Sequence, residues 1–149
     1  MNKDLVVKNV FYEASLIEFC EELNLYLMTR YKYKKKHAYI SRRNTIRADR
    51  KYFNIYLRFK PHKNIGWGDN CLVIASIGFF KVHCGNGTSF LKFLLDVADK
   101  YCFTSIGIET ASTEAIFGFA TKYEFKDIKD GDNWIAPVNS LKQRLLNPN

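Results

Sequence analysis

The sequence predicts an α/β (α+β) domain, and three patterns carry that expectation. Residues 52–60 alternate, with Phe53, Ile55, Leu57 and Phe59 on one side and Tyr52, Asn54, Tyr56 and Arg58 on the other. That is the period of a half-buried strand whose outer face is aromatic and basic. Residues 71–80 form a continuous apolar run, as expected of a central strand. Behind a Gly85-Asn86-Gly87 turn, Phe90, Leu91, Leu94, Leu95, Ala98 and Tyr101 recur at helical spacing, with Asp96, Asp99 and Lys100 on the opposite face.

The other elements follow in order. Ser15-Leu16-Ile17-Glu18 has the pattern of a capping box and predicts a helix through Met28, with Leu16, Phe19, Cys20, Leu23 and Leu27 as its apolar stripe. The lysine run 32–36 reads as a solvated loop, 37–43 as a short strand and 44–50 as a polar connection. Two glycines and a proline make 61–70 a loop. After the helix over 88–101, a short strand is expected at 105–110 and a second helix at 113–122. Gly131 marks a turn between strands 125–128 and 134–138, a terminal hairpin, and 140–146 forms a last short helix before Pro148. With no internal repeat and no low-complexity linker, residues 1–149 read as a single domain.

A chain of 149 residues with 47% apolar content suits one domain with a real core. It has no apolar run of the roughly 18 residues a membrane span needs. Its start, Met1-Asn2-Lys3-Asp4, lacks the apolar stretch of a secretory signal, so a cytoplasmic protein without a membrane partner is expected. Cys20, Cys71, Cys84 and Cys102 show no Cys-x-x-Cys spacing, and Cys20, Cys71 and Cys102 sit among apolar neighbours. Buried free thiols are expected, rather than disulfides or a zinc site. His37, His62 and His83 have no metal-ligand spacing either, and no metal is expected.

The net charge of +8 is unevenly spread. Residues 30–63 carry thirteen Lys or Arg against the single acid Asp49, a local balance of +12, while the rest of the chain balances to −4. Within this basic segment Arg42, Arg43, Arg47, Arg50, Lys51, Arg58, Lys60 and Lys63 interleave with Tyr39, Tyr52, Tyr56 and His62. Cations neutralise phosphates and exposed aromatic rings stack on unpaired bases, so nucleic acid is the first partner expected, and an acidic protein the second. For any single one of these charges, a solvated face is the simpler reading.

The turn at Gly85 and Gly87 opens a helix, whose first N–H groups and positive dipole end suit a phosphate. Gly85-Asn86-Gly87-Thr88-Ser89-Phe90-Leu91 resembles the acetyl-CoA signature of the GCN5-related N-acetyltransferases, the GNAT family: Gln/Arg-x-x-Gly-x-Gly/Ala, then Leu-Leu. The register runs on through Leu94, Leu95, Ala98, Phe103, the strand Ile106-Gly107-Ile108-Glu109-Thr110 and the helix from Ala111, ending at Phe125 where the family often has Gly-Phe. The resemblance covers 71–125, about a third of the chain. It implies a single GNAT-like domain with a central mixed, mostly antiparallel sheet flanked by helices. It also implies acetyl-CoA or another acyl-CoA as cofactor, with Ser76, Ile77 and Gly78 facing the pantetheine arm. Val82, His83, Cys84, Gly85, Asn86, Gly87 and Thr88 would wrap the pyrophosphate. The alternative is that both glycines serve only a tight strand-to-helix turn.

Departures from the family pattern bear on chemistry. Val82 replaces the signature Gln or Arg, Ala120 stands where the family often has the tyrosine that protonates the departing thiolate, and Glu124 replaces the glycine before Phe125. The catalytic candidates are Glu109, as a base acting directly or through water, and Tyr123, as a substitute acid. A solvated Glu109 and a packing Tyr123 are the plainer readings. The expected function is an acyl-CoA-dependent N-acyltransferase acting on an amine of, or carried by, RNA, DNA or another polyanion. The alternatives are a catalytically inactive GNAT-fold protein that binds nucleic acid or a partner protein, and an unrelated α/β binding module. A free strand edge near the terminal hairpin would suit a homodimer.

Overall fold

The structure, a computed structural model, describes residues 2–61, 66–81, 84–109, 114–128 and 132–147, the side chains of residues 7–9 excepted. Helix α1 (Lys3–Tyr31) buries the expected stripe Leu16, Phe19, Cys20, Leu23 and Leu27. It starts well ahead of Ser15, because the Asn2 side chain caps it by accepting from the Asp4 N–H at 3.0 Å. No glycine or proline interrupts residues 3–31, so Ser15 lies inside the helix.

Three antiparallel strands come next: β1 (Ala38–Ile40), β2 (Thr45–Arg50) and β3 (Phe53–Phe59). The stretch 44–50, expected as a connection, is strand β2. Its Ile46 and Ala48 bury opposite Leu57 and Ile55, and Arg47 between them with Asp49 and Arg50 after them hides the alternation. The Asn24 amide ties α1 to β1, donating to the Ala38 carbonyl and accepting from the His37 and Ala38 N–H groups.

Strand β4 (Cys71–Phe79) and helix α2 (Asn86–Ala98) lead to β5 (Ser105–Ile108), parallel to β4. Helix α3 (Glu114–Lys122), β6 (Lys126–Ile128), β7 (Asn133–Pro137) and helix α4 (Val138–Leu146) complete the chain. The sheet order is β1-β2-β3-β4-β5-β7-β6, and every pair except β4–β5 is antiparallel. This is the mixed, mostly antiparallel α+β architecture that the resemblance implies. The expected terminal hairpin is β6–β7; its Gly131 turn, like Pro148 and residues 110–113, lies outside the described residues.

The main core lies on the sheet face that carries Phe53, Ile55, Leu57, Ile74, Ile106 and Ala136, and all four helices contribute to it. On the other face Trp67, Cys71 and Val73 form a smaller cluster with Ile128 and Ile135. There the Trp67 ring lies against Gly107, where an added Cβ would stand 2.4 Å from the indole ring, so a glycine is required. Over β1–β3 no described element packs on this second face, and its residues Tyr39, Arg47 and Asn54 are exposed.

Three helices end in one device. After α1, α2 and α3, the residues Lys32, Cys102 and Glu124 take left-handed backbones, with φ of 58°, 58° and 60°. An aromatic follows each, and the N–H groups of Tyr33, Phe103 and Phe125 return to the Met28, Ala98 and Ala120 carbonyls. This is the Schellman closure, which normally favours glycine at the left-handed position. It also corrects the expectation for Cys102, which is exposed because the left-handed turn sends its side chain outward while Phe103 folds into the core. Cys84 is exposed as well, whereas Cys20 and Cys71 are buried, and burial pushes both of their thiols up to about 11.

Two outcomes are expected. Glu124→Gly relieves the left-handed strain and stabilises the protein by about 0.5–1 kcal/mol, read as a higher urea midpoint; a lower midpoint would contradict it. Native thiol titration near pH 8 labels Cys84 and Cys102 quickly, and Cys20 and Cys71 only on unfolding.

Candidate functional site

Strands β4 and β5 run parallel only as far as Ile74 and Ile108, where the Glu109 N–H makes a last bond to the Ile74 carbonyl at 2.9 Å. Beyond that fork β4 continues to Phe79 paired with β3 alone. Its register with β3 slips there: Ile74 faces Leu57 and Ser76 faces Tyr56, so Ala75 is an extra residue, and such a bulge bends a strand. Among the described residues, the side of β4 turned toward β5 has no strand partner beyond Ile74.

A cleft of about 710 Å³ opens over this fork on the helical face. Its floor is Ile74, Ile77, Gly78 and Ile108; α2 contributes Gly87, Thr88 and Phe90, and α3 contributes Ile116, Phe119 and the following Tyr123. At the mouth, Gly85 adopts φ 72° as the N-cap of α2, and no side chain caps this helix end. The N–H groups of the first turn are therefore free of intrahelical partners. Gly87 brings the helix start close to α3, since a Cβ there would lie 3.4 Å from the Phe119 ring.

The turn is fixed from an unforeseen direction. The buried Asn86 side chain donates to the Lys81 carbonyl at 2.9 Å, and its oxygen accepts from Arg30 Nε and Nη2 at 3.2 and 3.0 Å and from the Tyr31 hydroxyl at 3.0 Å. Arg30 Nη2 also reaches the Cys84 carbonyl at 3.4 Å. The last turn of α1 thus latches both sides of the glycine turn. In sequence Arg30 reads as one more base in a basic segment; the only signal for it was that a polar residue between two turn glycines needs partners.

Of the candidates for cofactor contact, Ile77, Gly78, Gly85, Asn86, Gly87 and Thr88 line the cleft. Ser76 sits across from Tyr56 on the opposite face, Cys84 lies exposed beside the mouth, and Val82 and His83 fall outside the described residues. The two catalytic candidates are apart. The Tyr123 hydroxyl shares a hydrogen bond of 2.6 Å with Thr88 Oγ1 at the helix-start end of the cleft. Glu109 stands at the fork, where both carboxylate oxygens accept from Arg58, Nε at 2.7 Å and Nη2 at 3.2 Å. That pairing raises the Arg58 pKa further and draws the guanidinium across β4. Ala120, at the family's tyrosine position, is fully buried.

The basic segment does not form one surface. Arg42 and Arg43 occupy the β1–β2 turn, while Arg50 ends β2 and Lys51 follows it in the β2–β3 turn, at the opposite end of the strand. Arg47 and Arg58 lie on the helix-free face around Tyr56, at 4.1 and 5.0 Å from its ring centre. Lys60 lies over the Phe59 ring and has its pKa lowered by burial. Tyr52 packs with Tyr31 on the helical side, and His62 and Lys63 lie outside the described residues. Among the described residues no cluster of His, Cys, Asp or Glu could hold a metal ion, and no helix is long and apolar enough to cross a membrane.

No family model and no curated protein matches the chain. Among solved structures it is similar to a mutant of the toxin AtaT bound to the C-terminus of the antitoxin AtaR and acetyl-CoA, with 10% identity over 66% of each chain and a TM-score of 0.45. A mutant of KacT aligns at 13% identity over 66% of this chain and 72% of that one, with a TM-score of 0.42. The AtaT mutant with the AtaR C-terminus alone gives 13% identity, 70% and 72% coverage and a TM-score of 0.44. At such identities it is the chain's own geometry that speaks to function.

The latch makes a specific forecast. Asn86→Ala leaves Arg30, Tyr31 and the Lys81 carbonyl without their partner and lowers stability by about 2 kcal/mol in urea unfolding. Hydrogen exchange rises at the amides of residues 84–88. Asn86→Asp keeps the acceptor for Arg30 and loses less; equal losses in the two variants would argue against the latch.

Proposed function

We propose that the protein is an acyl-CoA-dependent N-acyltransferase of GNAT-like fold. The observation that carries this reading is the forked β4–β5 pair joined to an uncapped glycine turn within one cleft. The parts fit the cofactor's chemistry. The N–H groups of the first turn of α2 suit a diphosphate, with Gly85 and Gly87 allowing close backbone approach. The unpaired edge of β4 over residues 76–78 suits the two amides of a pantetheine arm, in the manner of an added strand. The apolar floor at Ile74 and Ile108 suits an acyl group.

When bound, the cofactor supplies an activated thioester carbonyl. The chain's contribution is mostly position: the strand edge and the turn fix the two ends of an elongated ligand, so that its reactive end falls at the fork. Glu109 is the carboxylate there and would take the proton of an incoming amine, directly or through water. Because Arg58 occupies both its oxygens, the amine must share that carboxylate with a guanidinium. Tyr123 is the candidate proton donor for the departing thiolate, but its hydroxyl is bonded to Thr88 at the helix-start end and would have to leave that bond and turn toward the fork to serve. The acceptor amine belongs to, or is carried by, a polyanion, and RNA or DNA fits the local balance of +12 over residues 30–63. The free edge of β6 would suit a homodimer.

The second reading, a fold of this kind that binds without catalysis, is favoured by Ala120, which buries a methyl where an acid would be needed. Calorimetric titration with acetyl-CoA tests the first. Saturable binding is expected, weakened about tenfold or more by Gly87→Trp at the helix start and by Ala115→Trp at the exposed rim. Absence of heat at millimolar ligand in the folded protein overturns the acyl-CoA reading. Binding without transfer to any RNA-borne or peptide amine replaces it with the second.

A further inference from the structure

The sheet carries its helices on one face, so the β1–β3 part of the other face is a regular surface on which no described element packs. Its composition follows from strand register. Tyr39 lies opposite Arg47, Arg47 opposite Tyr56, and Tyr56 opposite Ser76, so these four side chains form one row across β1, β2, β3 and β4. Tyr39 is 53% exposed on the edge strand. Arg47 stacks on the Tyr56 ring at 4.1 Å, and Arg58 approaches the same ring at 5.0 Å.

On the strands of this face Arg47 and Arg58 are matched in number by Asp49 and Glu109, and the positive excess comes from Arg42 and Arg43 in the β1–β2 turn. Two guanidinium groups meet at one phenol ring with one carboxylate, Glu109, and Arg58 holds both of its oxygens. Arg47 has no hydrogen bond or ion pair among the described residues, only the ring. The other acid of the face, Asp49, accepts from the neighbouring Asn54. Arg42 and Arg43 extend the positive charge into the β1–β2 turn. Such a surface has cations that need counter-charge and rings presented on a flat sheet rather than on a helix that could enter a groove. Flat sheets with exposed aromatics and interleaved cations fit splayed bases with their phosphates.

We propose that the helix-free face of β1–β3 is a docking surface for single-stranded nucleic acid. Tyr39 is a stacking platform, Arg47 and its ring partner Tyr56 hold a phosphate beside it, and Arg42 and Arg43 take the next phosphates. The proposal rests on the nucleic-acid partner inferred above, not on acyl transfer. It adds the surface, the strandedness and the direction of approach: the row leads through Tyr56 and Arg58 to Glu109, so a bound strand would reach the fork from the side opposite the cleft.

The test is fluorescence anisotropy of the intact protein with a labelled mixed-sequence single-stranded RNA, the same RNA as a duplex, and single-stranded DNA. Unlabelled polyglutamate serves as competitor, and each titration is run at several salt concentrations. Single strands are expected to bind about tenfold more tightly than the duplex, with affinity falling as salt rises. Arg47→Gln lowers the salt slope by about 0.7, and Tyr39→Ala weakens binding by about fivefold or more while Tyr39→Phe keeps it. Lys92→Gln, on the exposed side of α2, serves as the unchanged control. Equal affinity for duplex and single strand, or displacement by polyglutamate as effective as by RNA, overturns the proposal. Wild-type affinity in both Arg47→Gln and Tyr39→Ala removes this face while leaving a nucleic-acid partner in place. No binding even at low salt removes both.

Discussion

The parting of β4 from β5 after Ile74 and Ile108 is the constraint on which the rest of the molecule depends. A parallel pair that stayed together would be sealed by its own hydrogen bonds and leave nothing for a ligand to pair with. Here the bulge at Ala75 bends β4 away, and the crossover through α2 returns the chain to β5 only at its first four residues. The cost is a row of β4 backbone groups without a strand partner among the described residues, and such groups persist only where water or a ligand reaches them. The cleft supplies that access, and α2, α3 and the apolar floor give it an apolar lining.

The one-sided layering follows from the same topology. Both crossovers, β4-α2-β5 and β5-α3-β6, move in one direction across the sheet between parallel strands, so both helices fall on one face. Helix α1 joins them there through aromatic packing, with Phe19 against Phe59, Tyr101 and Phe103, and Tyr26 stacked on Phe93. With the apolar residues of β1–β3 all turned to that side, their alternation partners must face outward. Of the segment's bases, Arg47 and Arg58 are therefore turned to the helix-free face, where Arg58 is partly shielded by Glu109 and Tyr56.

Much of this was legible in the sequence where a period repeats. The alternation of β3 and the helical stripe of α2 place their buried residues correctly, and the apolar run of β4 marks a central strand, though only Cys71–Ile74 of it are buried because the rest runs past the fork. Strand β2 was hidden because only Ile46 and Ala48 face the core between charged neighbours, and a strand with two buried apolar side chains looks like a linker. The start of α1 was hidden for the reverse reason. Its first turns carry Leu5, Val6, Val10 and Phe11 exposed, so no stripe announces them, and a plausible cap at Ser15 outweighed a real one at Asn2. At the site, the glycine turn could be read because glycine has few other reasons to recur there. The latch from Arg30 and Tyr31 to Asn86 joins residues more than fifty positions apart and has no local signature. The same is true of the pairing of Arg58 with Glu109.

The departures from the family pattern differ in kind once they are placed in the fold. Glu124 changes the residue but not the backbone: at φ 60° it performs the closure a glycine would perform, with Phe125 packed behind it. Ala120 changes the chemistry, since its methyl is enclosed and no hydroxyl occupies its place. Tyr123, three residues later, aims its hydroxyl at Thr88, toward the helix start rather than the fork. A reaction at the fork would therefore find backbone dipoles, a strand edge and a carboxylate already bound to arginine, with the tyrosine hydroxyl held at the far end. Any catalysis there must come chiefly from fixing two reactants at short distance. An acceptor held by many contacts on the open face fits that requirement better than a small free amine would.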